Sequence, residues 1–194
     1  MKSSSSSSSQ NGGAGPGPAT QFALAAAALL LLASLAPAQA GNDNRTPEVP
    51  DAIGVPDNNK VHFHAYAVGV QNYVWNGTTW GFTGPEAVLF DADGNVVGIH
   101  YAFAGPTRPG WESESGSLVV GAALANAPSS TPNSIPLLLV GVVSASGPGI
   151  FARTSYIHRV NTVGGRAPTE PGTSAGQEAR VPYTAEYFFY RATK

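Results

Sequence analysis

Apolar and polar residues alternate along most of the chain after residue 60, with the period of two that is typical of β-strands. Gly, Pro, Asn or Asp separates nearly every pair of alternating segments, and these residues favour turns. No window after residue 40 shows a sustained helical repeat. The pattern predicts strands at Val61–Val70, Asn72–Trp75, Thr78–Phe82, Ala87–Asp91, Val96–Phe103, Ser117–Gly121, Pro136–Val143, Gly149–Val160 and Val181–Arg191.

Many short strands with regular turns predict an all-β fold with little helix. We expect an antiparallel β-sandwich, or a closed or partly closed β-barrel, of about 8–10 strands. Asp93-Gly94 predicts a hairpin between Ala87–Asp91 and Val96–Phe103, because this dipeptide suits a tight turn.

Asn76-Gly77 predicts a second hairpin, with a type I′ turn that needs a positive φ at both residues. A two-residue loop would place Trp75 opposite Thr78 and Tyr73 opposite Trp80. Alternate residues share a face of a sheet, so these three aromatic rings are expected on one face.

The first 40 residues predict a cleaved signal peptide. An apolar block runs from Phe22 to Leu35 and is followed by Ala-Gln-Ala at Ala38–Ala40, which is the pattern of a signal-peptidase site. The block is shorter than the roughly 20 residues that span a bilayer. A Ser-rich start without acidic residues also fits a plastid transit peptide, although the lack of Arg argues against it. We expect a secreted protein, extracellular or in the cell wall, with a coil lead-in at 41–59 and one β domain at 60–194.

Composition narrows the functional classes. Only 11% of the residues are charged, the net charge is -2 and there is no Cys. A disulfide scaffold, a Cys-ligated zinc site and a thiol nucleophile are therefore excluded. No run of like charges exists, so we expect no nucleic-acid partner and no membrane association after signal cleavage. No dinucleotide fingerprint or phosphate-binding loop is present, and no cofactor is expected.

Two sequons are candidate glycosylation sites, Asn44-Arg45-Thr46 and Asn76-Gly77-Thr78. A secreted eukaryotic chain can carry glycans at such triplets. A glycan on Asn76 would hold the tip of that hairpin in solvent.

Several residue runs stand out as a candidate family signature. The most specific is Arg159-Val160-Asn161-Thr162-Val163-Gly164-Gly165. The others are Gly69–Tyr73, Gly84–Asp91, His100-Tyr101 with Ala104–Thr107, Ile135–Leu139 and Arg180–Tyr187. Together these runs resemble the DUF3455 family over roughly residues 53–191.

The resemblance implies a small exported protein without an established activity. Many family members carry a Cys shortly after the equivalent of Tyr73 and another after the Gly-Gly motif, but this chain has neither. Packing must then replace any bridge of that kind. Arg108-Pro109-Gly110 also interrupts the family's Gly-Pro-Thr-Trp run before Trp111, which puts in doubt any role that needs Trp directly after Thr.

Four histidines and one glutamate are candidates for acid–base catalysis: His62, His64, His100, His158 and Glu86. His62 and His64 are two apart on a predicted strand and therefore share a face. Two such imidazoles can hold a metal if a third ligand converges on them, but no carboxylate follows at Ala67–Val70, and no metal site is assigned. The alternative is that these histidines are ordinary strand residues and that Glu86 points outward.

A second group of residues predicts ligand binding: Arg159, Asn161, Thr162, Trp111 and Tyr73. Arg beside Asn in a loop can clamp a carboxylate or a sugar hydroxyl, and aromatic rings stack on ring ligands. In the structural alternative, Asn161 bonds within its own turn, Gly164-Gly165 supplies positive φ, and the aromatic side chains fill the core.

These residues support two main functional hypotheses. The first is a secreted protein that binds a carbohydrate or small ligand without catalysis, and the second is a small β-barrel enzyme (hydrolase, isomerase or cyclase). Histidines and a carboxylate that meet in an apolar pocket would favour the enzyme, whereas scattered histidines would favour binding. A purely structural coat or stress protein would have no pocket.

Overall fold

Eight β-strands follow one another along residues 45–194, the part of the chain that the computed structural model describes. They are Asn59–Trp75 (β1), Trp80–Phe90 (β2), Val96–Ala102 (β3), Pro109–Ser113 (β4), Leu118–Ala127 (β5), Leu137–Ser146 (β6), Tyr156–Gly164 (β7) and Glu178–Ala192 (β8). Each strand pairs with the next, and β8 pairs with β1 to close a barrel. All pairings are antiparallel. The predicted signal peptide and the Asn44 sequon lie outside the described residues.

The all-β prediction is confirmed, and the closed barrel replaces the sandwich alternative because one continuous sheet contains every strand. In two places, a pair of neighbouring predicted strands forms one continuous strand, β1 in the first case and β2 in the second. Gln71 does not interrupt β1, since it pairs with Pro85 and is buried. Gly84 does not interrupt β2, because a bulge next to Tyr73 accommodates it with φ 146°.

Two other predictions were wrong. The pattern missed β4, which begins at Pro109-Gly110, two residues that are rare within strands. The predicted strand Gly149–Val160 starts too early: turns occupy residues 149–154, and β7 begins at Tyr156. Phe151 lies in these turns and is fully buried, so its apolar character reflects packing rather than strand formation.

The β1–β2 hairpin also differs from the prediction. Its loop has four residues, so Trp75 faces Trp80 and Tyr73 faces Phe82. The Asn76 side-chain oxygen accepts hydrogen bonds from the N–H groups of Thr78 and Thr79, at 2.9 and 2.8 Å. This side-chain turn needs a positive φ only at Gly77, which is why the two-residue loop does not form.

The Asp93-Gly94 hairpin between β2 and β3 is confirmed. The Asp91 carboxylate accepts hydrogen bonds from the N–H groups of Asp93 and Asn95, and Gly94 has φ 83°. These hydrogen bonds all lie within residues 91–95, so the turn is held by its own residues.

Alternate residues of each strand fill the barrel, and the loops define two ends. We call the end that carries the β1–β2, β3–β4, β5–β6 and β7–β8 loops the upper end, and the opposite one the lower end. Near the lower end, Phe151 stacks on Phe189 at 4.3 Å between ring centroids and meets the edge of Phe63 at 5.7 Å. These rings plug the lower end of the interior.

Residues 45–58 form a lead-in segment that packs on the outside of the barrel. Its 3-10 helix, Asp51–Ile53, is the single helical element in residues 45–194, so no described helix has the length to cross a bilayer. Ile53 is fully buried against Ala127 and Leu139. Its carbonyl accepts a 2.6 Å hydrogen bond from His158 Nε2, and Tyr190 donates to His158 Nδ1 at 3.0 Å. The lead-in is therefore part of the folded domain.

Replacing Ile53 with Ala should lower the free energy of unfolding by about 2–4 kcal/mol, because the deletion leaves a cavity between the lead-in and the barrel wall. Urea unfolding followed by circular dichroism measures the change. Asp57→Ala is the matched control on the same segment, where the side chain is exposed and an effect within about 0.5 kcal/mol is expected. If Ile53→Ala changed the free energy of unfolding as little as Asp57→Ala does, the packing of the lead-in would not contribute to stability.

Candidate functional site

A cavity of about 360 Å³ opens into the barrel interior at the upper end. Its volume lies within the range of small-molecule sites. Seven of the eight strands, all except β1, and the β3–β4 loop contribute its walls. The lining residues are Phe82, Pro85, His100, Pro106, Thr107, Arg108, Pro109, Trp111, Ala122, Ala123, Leu138, Val140, Arg159 and Tyr187.

Three stacked or edge-on rings form the inner wall of this cavity. His100 and Trp111 are cross-strand partners on β3 and β4, and their rings stack at 4.4 Å. Tyr187, from β8, meets the two rings edge-on at 5.1 and 5.7 Å. All three side chains are at least 97% buried, so their packing fixes the shape of the wall before any ligand arrives.

His100 is a neutral member of this wall. Its Nδ1 donates a 2.9 Å hydrogen bond to the carbonyl of Gly110, which fixes the proton on that nitrogen and leaves Nε2 as an acceptor. Burial lowers the pKa of His100 to about 3, although the bond to Gly110 opposes this. A base of this pKa is mostly unprotonated at neutral pH and binds a proton weakly.

Arg159 brings the positive charge into the cavity. Its Nε and Nη2 donate to the carbonyl of Pro136 at 3.2 and 2.9 Å, which anchors the guanidinium beside the β5–β6 loop. Burial raises the pKa of Tyr187, and the charge and hydrogen bond of Arg159 oppose that rise. No Asp or Glu lines the cavity. Within residues 45–194, no carboxylate makes a salt bridge with Arg159.

The indole nitrogen of Trp111 is buried without a hydrogen-bond partner among the described residues. An indole N–H can only donate, and a buried donor without an acceptor costs about 1–3 kcal/mol. This nitrogen has almost no accessible surface, so the guanidinium of Arg159, rather than the indole N–H, is the donor that the cavity presents to oxygen atoms of a ligand.

The other three histidines lie outside this cavity. His62 lies near the lower end, where it lines a second pocket of about 310 Å³ with Arg153 and Arg191. Its Nε2 lies 3.1 Å from Thr154 Oγ1, and burial, helped by the two arginines, lowers its pKa to about 4. His158 lies beneath the lead-in segment, where burial also lowers its pKa.

The outer face of the barrel carries His64 and the acidic candidate Glu86. His64 Nε2 donates to Glu186 at 2.9 Å and stacks on Phe188. Glu86 is exposed and paired with Arg180 at 2.6 Å, and this hydrogen bond lowers the pKa of Glu86. The histidines and Glu86 therefore do not meet at one place. Within residues 45–194, no three His, Cys, Asp or Glu side chains cluster as metal ligands.

Of the residues predicted to bind a ligand, the structure brings Arg159 and Trp111 together in the upper cavity. Tyr73 donates its hydroxyl to the carbonyl of Gly165 at 2.7 Å inside the barrel. Asn161 points outward and donates to Glu186, while Thr162 is buried and donates to the carbonyl of Ile135. These two residues form a bulge in β7, with Asn161 at φ 50°.

Sequence reasoning did not assign Tyr187 to the cavity. The signal was present, because Tyr183 and Tyr187 are four residues apart in a strand and must share a face. Two other lining residues, Arg108 and Ala123, carry no such signal in the sequence. Arg108 reaches the cavity through the path of the β3–β4 loop, and Ala123 reaches it through the register of β5. Asn76, the described sequon residue, lies exposed in the β1–β2 loop.

The family model described as "Protein of unknown function (DUF3455)" matches residues 56–191. The chain belongs to this family. The match covers almost the whole barrel, from the end of the lead-in segment to Arg191 near the end of β8. No curated protein and no solved structure matches the chain. The family assignment that the residue runs indicated is confirmed, and the description attaches no activity to the fold.

Acid should destabilise the barrel in the pH range where histidines change charge. Burial lowers the pKa of His100 to about 3 and that of His62 to about 4, against about 6.5 in an unfolded chain. As the pH falls below about 6.5, the unfolded chain binds protons that the folded chain does not, so stability is lost. A fully buried histidine such as His100 contributes up to about 1.4 kcal/mol per pH unit, and the partly exposed His62 contributes less because solvent screens its charge.

The variant His100→Gln removes one of these groups. Urea unfolding at several values between pH 6.5 and 5 should show a slope lower by about 1.4 kcal/mol per pH unit than in the native protein. An unchanged slope would show that His100 is not buried in its neutral form.

Proposed function

We propose that this protein is exported and binds a small ligand, without catalysis, in the cavity at the upper end of the barrel. The observation that carries the proposal is the preformed cavity itself, whose wall is mostly apolar and includes Arg159 without an acidic side chain. A cavity of this volume with an apolar wall and a few polar groups is typical of small-molecule sites. A purely structural protein has no need of such a cavity.

The positions of the ionisable residues favour binding over catalysis. General acid–base chemistry needs groups within reach of one substrate, with pKa values near the working pH. Of the five catalytic candidates, His100 is the one that lines the upper cavity, and its pKa of about 3 makes it a weak base. Glu86 is paired with Arg180 on the outer surface.

The proposal of export rests on the sequence of residues 22–40, where an apolar block precedes Ala-Gln-Ala. Signal peptidase cuts after such small residues. When the full chain is expressed in a eukaryotic secretory host, we expect the protein in the medium to begin at Gly41 by N-terminal sequencing. Retention of the chain inside the cell with an intact N-terminus would contradict export.

A substitution that fills the cavity should abolish ligand binding. Ala123 lines the cavity and is exposed to solvent, so Ala123→Phe can place its ring in the opening with little cost to folding. Saturation-transfer NMR with glucose, N-acetylglucosamine, benzyl alcohol and benzoate would detect weak binding. At least one compound should bind the native protein and lose its signal with Ala123→Phe.

The matched control is Leu124→Phe, one residue along the same strand, where the side chain is 60% exposed and does not line the cavity. It should bind as the native protein does. Binding that Ala123→Phe leaves unchanged, or no binding of any of the four compounds, would contradict the proposed function.

A further inference from the structure

The charge of the upper cavity is not balanced by the residues around it. Arg159 and Arg108 line it, and no acidic side chain does. The described salt bridges pair His64 with Glu186 and Arg180 with Glu86, so neither includes a cavity arginine. A guanidinium that is partly withdrawn from water is stabilised by an anion. The cavity therefore favours a negatively charged ligand group over a neutral one.

Arg159 is the cation that such a group would meet. Its guanidinium is held by the carbonyl of Pro136 through two nitrogen atoms, so its position is set before a ligand enters. Guanidinium groups bind carboxylates through paired, charge-assisted hydrogen bonds. His100 does not add a second charge, since burial keeps it neutral.

A carboxylate suits this guanidinium better than a sugar hydroxyl does. It offers two acceptor oxygens, whereas a hydroxyl brings a proton of its own that needs an acceptor.

The rest of the wall is apolar and would hold the body of the ligand. It consists of the aromatic faces of Phe82, Trp111 and Tyr187 with Pro85, Pro109, Leu138 and Val140. Such a surface favours aromatic or aliphatic carbon over a polyol, because apolar area leaves water on binding.

We propose that the ligand of the upper cavity is a small organic acid with an apolar body, whose carboxylate is bound by Arg159. This inference rests on the proposed function, since it names the ligand class for the same cavity.

The first test compares matched ligands on the native protein. Benzoate, phenylacetate and hexanoate are the acid probes, and benzamide and benzyl alcohol are their neutral counterparts. Titration calorimetry or saturation-transfer NMR should show the acids binding about tenfold or more tightly than the neutral compounds. Equal or tighter binding of benzamide would overturn the proposed ligand class.

The second test uses a variant with a matched control. Arg159→Met should weaken benzoate binding about tenfold or more and change benzyl alcohol binding less than about twofold. The control is Arg180→Met, which removes an exposed guanidinium outside the cavity and should not change benzoate binding.

The outcomes separate the two proposals. If neutral compounds bind, Ala123→Phe abolishes that binding and Arg159→Met has no effect, the protein is a ligand-binding barrel but its ligand is not an acid. If none of the five compounds binds the native protein, the acid-ligand proposal fails, and the proposed function fails with it if glucose and N-acetylglucosamine do not bind either. Circular dichroism shows whether each variant is folded, and the comparison of ligands on the native protein decides the ligand class if Arg159→Met does not fold.

Discussion

The pairing of β1 with β8 is the constraint on which the rest of the structure depends. These strands, the two longest in the barrel, pair from Asn59↔Ala192 to Val74↔Glu178. Closure leaves the sheet without edge strands and encloses the residues that β1 and β8 turn inward. For this reason the core includes Tyr183, Tyr187 and Phe189. Tyr187 then forms part of the inner wall of the cavity, and Phe189 forms part of the aromatic plug at the lower end.

The two ends of the interior differ in chemistry although the same strands form both. At the lower end, three phenylalanine rings pack on one another, and the polar groups beside them are paired, as where Ser117 Oγ accepts a hydrogen bond from the N–H of Phe151. At the upper end, polar atoms face the interior and depend on specific partners: His100 on Gly110 and Arg159 on Pro136. The buried apolar cluster reaches from Phe151 at the lower end to Trp111 in the cavity wall, and the upper end adds an arginine with which no described carboxylate makes a salt bridge.

The sequence predicts the class of this fold well because alternation is a local property. Strand β8 shows this, since its predicted and observed limits nearly coincide. The site was only partly predictable, because bulges change the phase of the alternation. The bulge at Asn161 and Thr162 shifts the register of β7 against β8, so the inward direction of Arg159 cannot be carried along the strand from Gly164. Phe151 and Pro109 illustrate a second limit of prediction from sequence. Their roles depend on contacts with residues far away in the chain, and the local pattern of residues gives no sign of these contacts.

Strand β8 runs toward the lower end and finishes there at Ala192, on the far side of the barrel from the cavity. A linker fused after Lys194 would therefore leave the opening unobstructed. Molecules immobilised through such a linker on a sensor chip would present their cavities to the flowing solution, and a fluorescent reporter joined at the same place would not compete with incoming ligands.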